Sequence, residues 1–155
     1  KLNFDNNGEI ARSGKIIRKL LRQLNNLDFY KFKSPKSLSR EWISKNISSL
    51  ISEKYEPQDI LNTFCEHIGL QIGMYLKDDK TLITGGGAFN KYLIEKIEKY
   101  SNSKLILPDK KIINFKEALI FAFLGVLRIR NQNNCLKSVT GAKQNNCGGV
   151  INNPV

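Results

Sequence analysis

Thr84-Gly85-Gly86-Gly87-Ala88-Phe89-Asn90 lies between a short apolar run, Thr81-Leu82-Ile83-Thr84, and a helical pattern over residues 89–100. The run reads as a strand, so the three glycines form a strand-to-helix turn with no Cβ atoms. Such a turn lets backbone N–H groups approach a ligand closely. A helix start beyond it adds unpaired donors and partial positive charge, a combination suited to phosphate. Gly86 is where a side chain would block a phosphate or ribose, and where a positive φ is expected. The spacing matches neither the dinucleotide fingerprint nor the Walker A loop. A tight turn with no ligand remains the competing reading of the same residues.

Outward from this turn, Leu105-Ile106-Leu107, closed by Pro108, reads as a second strand. Strand, helix and strand in that order require a parallel crossover, expected to be right-handed. Upstream the pattern is helical. Ile16, Ile17, Leu20, Leu21, Leu24 and Leu27 share one face of an amphipathic helix over residues 13–27, with Ser13 placed as its cap. A second helix is expected to begin near Ser39, after an aromatic connection containing Pro35. A third begins at Pro57 and carries Ile60, Phe64, Ile68, Ile72 and Leu76 at every fourth position. Downstream, Asn114 opens a strongly apolar helix running to about Arg130, expected to be buried on most sides. The tail after Asn131 reads as loop. The fold class expected is therefore α/β, helix-rich, with a short mixed or parallel sheet.

The 155 residues carry 25 Lys and Arg against 14 Asp and Glu, a formal charge of +11. The surplus lies before residue 57 and after residue 100, so no single basic arm is built. Such charge attracts phosphate-bearing partners. A basic nucleic-acid-binding module is thus an alternative function, and the Arg12–Arg22 segment motivates it. Nucleic acid is disfavoured because no helix-turn-helix, zinc-finger or RNP-type motif can be quoted. No apolar run approaches the length of a membrane span. Residues 1–14 hold no apolar leader segment, Lys1 reads as a cut point, and a cytoplasmic location without membrane association is expected. Cys65, Cys135 and Cys147 are too scattered for a disulfide scaffold, and with His67 the only histidine no metal site is expected.

Four ordered stretches narrow the reading. Thr84 to Asn90 is similar to the adenosine-binding turn of the acetate kinase/sugar kinase/Hsp70/actin superfamily. Ser34-Pro35-Lys36-Ser37-Leu38-Ser39-Arg40-Glu41 is similar to a Pro-Lys-Ser-Thr-Gly-Arg-Glu signature. Phe115-Lys116-Glu117-Ala118-Leu119-Ile120-Phe121-Ala122 resembles a Glu-Ala-Leu-Ala-Phe-Ala helix. Asn134-Cys135-Leu136-Lys137-Ser138-Val139-Thr140-Gly141-Ala142 resembles an Asn-Leu-Pro-Ser-Val-Thr-Gly-Ala loop. Together they resemble the C-terminal half of the anhydro-N-acetylmuramic acid kinase family, over nearly the whole chain. Leu38 and Ser39 replace the usual Thr-Gly, and Lys137 the usual Pro.

The resemblance implies residues 1–155 are one lobe of a two-lobe, actin-like (ribonuclease-H-like) kinase whose N-terminal lobe lies outside this chain. It implies ATP and Mg²⁺ as cofactors, an anhydro amino sugar as substrate, and a homodimer. The activity implied is opening of the 1,6-anhydro ring with phosphorylation of O6, in peptidoglycan recycling. Gly85, Gly86, Gly87 and Asn90 then fall at the nucleotide, and Glu117 at the sugar. No catalytic residue is expected in this chain, because the family's aspartate base precedes it, and the isolated chain is expected to be inactive. A non-catalytic nucleotide-binding module is a further alternative. Each site has a plainer explanation. Asn114 to Glu117 fits a capping box. Asn90 could satisfy backbone at a helix start, and Lys36 and Arg40 read as solvated. His67 reads as packing or surface, and Cys65 as core.

Overall fold

A computed structural model describes residues 4–33 and 36–152. Ser34 and Pro35 of the second motif, and Lys1, fall outside the described residues. The chain divides into two compact units, Lys1–Pro108 and Asp109–Val155.

The first unit opens with a 3-10 turn, Asn6–Gly8, in which Asn7 (φ 55°) and Gly8 (φ 76°) are both left-handed. Helix α1, Glu9–Ser13, follows directly, then α2, Arg18–Asn25. The helix expected over residues 13–27 is shorter: residues 14–17 are not helical, and α1 ends where it was expected to begin. Ser13 does not cap it: its hydroxyl donates to Ile10 O (2.8 Å) at the end of α1. The break has a steric cause. Gly14 lies so close to the backbone of Gln58 and Asp59 that a Cβ there would collide with it. Ile17 N instead donates to Thr63 Oγ1 (2.9 Å), and Asn62 Nδ2 donates to Gly14 O (2.6 Å). Leu20 and Leu24 of α2 are fully buried with Ile47, and Trp42, Leu50, Tyr55 and Phe64 pack around them.

Helix α3, Arg40–Ile47, is capped as the sequence indicates, Trp42 N donating to Ser39 Oγ (3.1 Å). Helix α4, Pro57–Gly73, begins on Pro57, whose missing N–H is no loss in a first turn. Its most buried face is not the four-residue apolar stripe. Asn62, Thr63, Cys65, Glu66, His67, Gly69 and Gly73 are buried instead, while Ile72 is exposed.

Strand β1, Lys80–Leu82, pairs in parallel with β2, Lys104–Ile106, Thr81 opposite Leu105. Between them lie the glycine turn, a 3-10 turn over Gly86–Phe89, and helix α5, Lys91–Tyr100. Helix α5 packs on α4 across a glycine seam. A Cβ on Gly69 would come within 2.6 Å of Lys96 Cβ, and one on Gly73 within 2.7 Å of Tyr100 Cβ. Only glycine admits that approach.

The second unit consists of helix α6, Lys110–Ile129, a short helix α7, Lys137–Thr140, and connecting loops. Asn134 stitches the loops: its Nδ2 donates to Gly148 O (3.0 Å) and to Leu124 O (3.3 Å), and its Oδ1 accepts from Gly148 N (2.7 Å). No described residue of α6 is buried, contrary to the expectation of burial on most sides. The loops of its own unit reach mainly its last turns, through Leu124 and Arg128, and leave the apolar flank uncovered. No helix among the described residues is long and apolar enough to cross a membrane.

Candidate nucleotide site and its supporting network

Gly85 carries the positive φ of the turn (87°), not Gly86 as expected from sequence. The turn changes direction on leaving β1, one residue earlier than the middle of the triplet. A Cβ on Gly85 or on Gly86 would meet no atom within 4 Å, and one on Gly87 would meet only Leu93 Cδ2, at 3.8 Å. Packing therefore does not explain these glycines, in contrast to Gly14, Gly69 and Gly73. The space they leave open faces outward, where a ligand can use it.

Gly86, Gly87 and Asn90 line one cavity of about 390 Å³, with Phe89 and Leu93. Its other wall is Phe4, Asp5, Asn6 and Asn7, a segment that sequence reasoning passed over. The signal was present in Asn7-Gly8, a dipeptide of left-handed turns. The two walls meet where Gly8 lies against Asn90 and Tyr92, too close to admit a Cβ. Asn90 caps α5, its Oδ1 accepting from Leu93 N (3.0 Å), so the local-backbone reading of that atom holds. Its amide nitrogen has no hydrogen-bond partner among the described residues, and Asn90 lines the cavity.

Polar side chains of α4 pair with its neighbours α2 and α5. Tyr92 OH donates to Asn62 Oδ1 (3.2 Å). Glu66 is buried and ion-paired with Lys96 (2.7 Å) and Lys99 (2.6 Å), and it accepts from Tyr100 OH. Burial pushes the Glu66 carboxyl up, but the hydrogen bonds of Lys96, Lys99 and Tyr100 outweigh it and hold the group at about 2. His67, 2% exposed, donates from Nδ1 to Asn25 Oδ1 (2.6 Å) and accepts at Nε2 from Tyr30 OH (2.8 Å). Burial lowers its pKa to about 4, so it is a neutral packing residue. Cys65 is core, beside Ala11 and Tyr92, and burial pushes its thiol up to about 11.

Lys36 is engaged internally, its Nζ donating to Phe29 O (3.1 Å) over the Phe29 ring. Glu117 belongs to the second unit. The capping box expected for it does not form, because α6 starts earlier, where Asp109 Oδ1 accepts from Ile112 N (2.9 Å). Glu117 sits in the helix interior, exposed, its side chain with no hydrogen bond or ion pair among the described residues.

The family model for anhydro-N-acetylmuramic acid kinase matches residues 1–154. The chain belongs to that family. Proteins named anhydro-N-acetylmuramic acid kinase are similar over almost its full length. That of Actinobacillus pleuropneumoniae serotype 7 is 33% identical over 168 aligned positions, covering 96% of this chain and 43% of the relative. That of Caldanaerobacter subterraneus is 33% identical, covering 92% of this chain and 40% of the relative. That of Francisella tularensis subsp. novicida is 32% identical, covering 96% and 42%. The chain thus spans less than half the length of these relatives.

Proposed function

We propose that this chain supplies the adenosine-side lobe of an ATP-dependent anhydro-N-acetylmuramic acid kinase, with the actin-like (ribonuclease-H-like) topology of that superfamily. The observation that carries the reading is the open glycine turn: Gly85 and Gly86 border unfilled space, and Gly86, Gly87 and Asn90 line a cavity. In the proposed reaction water adds to C1, the C1–O6 bond of the anhydro ring breaks, and O6 receives the phosphoryl group that ATP supplies. Gly85, Gly86 and Gly87 admit the nucleotide against backbone, and Asn90 fixes the start of α5 beside it. Glu117 is the proposed sugar-facing carboxylate. Its support is that α6 neither caps nor pairs it. The base that activates water is assigned outside this chain, which alone is expected to be inactive.

Mg²⁺ finds no ligand set here. Among the described residues no three His, Cys, Asp or Glu side chains gather to hold a metal. Asp5, the one carboxylate lining the cavity, accepts from Ile10 N and Ala11 N, both at 2.9 Å. A cytoplasmic kinase of peptidoglycan recycling, acting as a homodimer, completes the proposal.

Two substitutions in the catalytically complete protein test it. Gly86→Val places a branched side chain in the open space and should raise the KM for ATP strongly without altering circular dichroism. Unchanged ATP affinity would remove the nucleotide assignment. Glu117→Gln should lower kcat/KM about tenfold, which is about 1.4 kcal/mol of transition-state stabilisation. A silent Glu117→Gln would remove the carboxylate from the sugar site and leave the glycine turn in place.

A further inference from the structure

The cavity at the glycine turn has an unusual lining for a phosphate-binding kinase site. Phe4 and Phe89 come from separate segments and line the same space, together with the carboxamides of Asn6, Asn7 and Asn90. No lysine or arginine among the described residues lines it. Its one charged residue among those described, Asp5, has both carboxylate oxygens committed to Ile10 N and Ala11 N. Phe4 is 74% exposed, although an apolar ring of that size is ordinarily covered. Asn6 and Asn7 make no side-chain hydrogen bond among the described residues. Asn7 also holds a left-handed φ of 55°, a conformation found at ligand clamps.

A neutral space with aromatic faces and free amides does not suit a polyphosphate. It suits a flat, neutral heterocycle with donors and acceptors on its rim, bearing hydroxyls. Its volume of about 390 Å³ falls within the range of small-molecule sites. We infer that the turn carrying Phe4, Asn6 and Asn7 is the second wall of the nucleotide pocket and takes the purine base and ribose, the base stacking on Phe4. The phosphates lie towards Gly85 and Gly86, where the turn is open and free of side chains. This assignment rests on the nucleotide reading of the glycine turn and adds the residues that recognise the nucleoside end.

The experiment measures calorimetric Kd values of ATP and of inorganic tripolyphosphate for the protein and three variants. Phe4→Ala removes the stacking face, and Asn7→Gly removes the amide while keeping a residue that accepts positive φ. Each should weaken ATP about fivefold or more, the size expected for loss of base stacking or of an amide contact, and leave tripolyphosphate unchanged. Gly86→Val should weaken both ligands. If Phe4→Ala and Asn7→Gly leave the ATP Kd unchanged while Gly86→Val raises it, the second wall is wrong and the glycine turn stands. If they weaken ATP and tripolyphosphate equally, the pocket does not read the nucleoside and the inference falls. If the unmodified protein binds no ATP, both readings fall together. Phe4 is exposed, so an unchanged melting temperature for Phe4→Ala separates loss of binding from loss of fold.

Discussion

Helices α4 and α6 invert each other. On α4 the polar residues Asn62, Thr63, Glu66 and His67 are buried, each with a hydrogen-bonding or charged partner. On α6, Leu119 is 69% exposed and Phe121 71%. Residue type alone would have put them the other way round. The difference lies in what surrounds each helix. Helix α4 is flanked by α1, α2 and α5, so its faces are enclosed and any polar group there must be satisfied. Helix α6 has only the four-residue α7 and loops within its own unit, and its apolar face meets solvent.

The contrast can be broken most severely at the seam. Gly69→Val would drive a branched side chain into the Lys96 backbone, with no flexible neighbour to yield. A loss above about 4 kcal/mol is expected, in the range of direct disruption of packed structure. A melting temperature within a few degrees of the parent would show that α4 and α5 are less closely packed than described.

Acid tests the buried polar layer. His67 titrates at about 4 in the folded protein against 6.5 in the unfolded chain. The unfolded state therefore binds more protons between those values, and stability falls as pH drops through that window. The shift corresponds to about 3 kcal/mol. Glu66, held at about 2 against 4.5, adds a further loss as pH falls below 4.5. Urea unfolding at pH 7 and pH 4.5 measures the first effect. In His67→Gln the difference between the two pH values should shrink, and an unchanged difference would place the titrating group elsewhere.

The smallest effect is expected on α6. Phe121→Ser should change stability by no more than about 0.5 kcal/mol, because the ring is already in solvent. A loss above about 2 kcal/mol would mean that the α6 face is covered in solution, and the contrast with α4 would disappear.

Local signals were legible in the sequence. Ser39 and Pro57 mark helix starts because a cap or a first-turn proline acts within a few residues. The strand, glycine turn and helix were readable because β1, α5 and β2 adjoin in the chain. Signals that depend on distant partners were not. The apolar period runs unbroken through residues 13–27, yet Gly14 must meet Gln58, and α2 begins only at Arg18. Helix α6 starts before Asn114 because Asp109, directly after Pro108, caps it. Of the proposed nucleotide site, one wall announced itself as three glycines. The other, Phe4 to Asn7, has no periodicity and joins the first only through the close approach of Gly8 to Asn90.

The glycine seam between α4 and α5 also decides what kind of motion the proposed nucleotide site can make. Packed helices shear past one another when side chains between them change rotamer. At Gly69 and Gly73 α4 offers no side chain, and its backbone lies directly against the backbone and Cβ atoms of Lys96 and Tyr100. Helix α5 and its capping residue Asn90 must therefore travel with α4 as one body. Opening and closing around a ligand is left to backbone torsion in the turn itself, at Gly85 to Gly87: a hinge, with no sliding surface beside it.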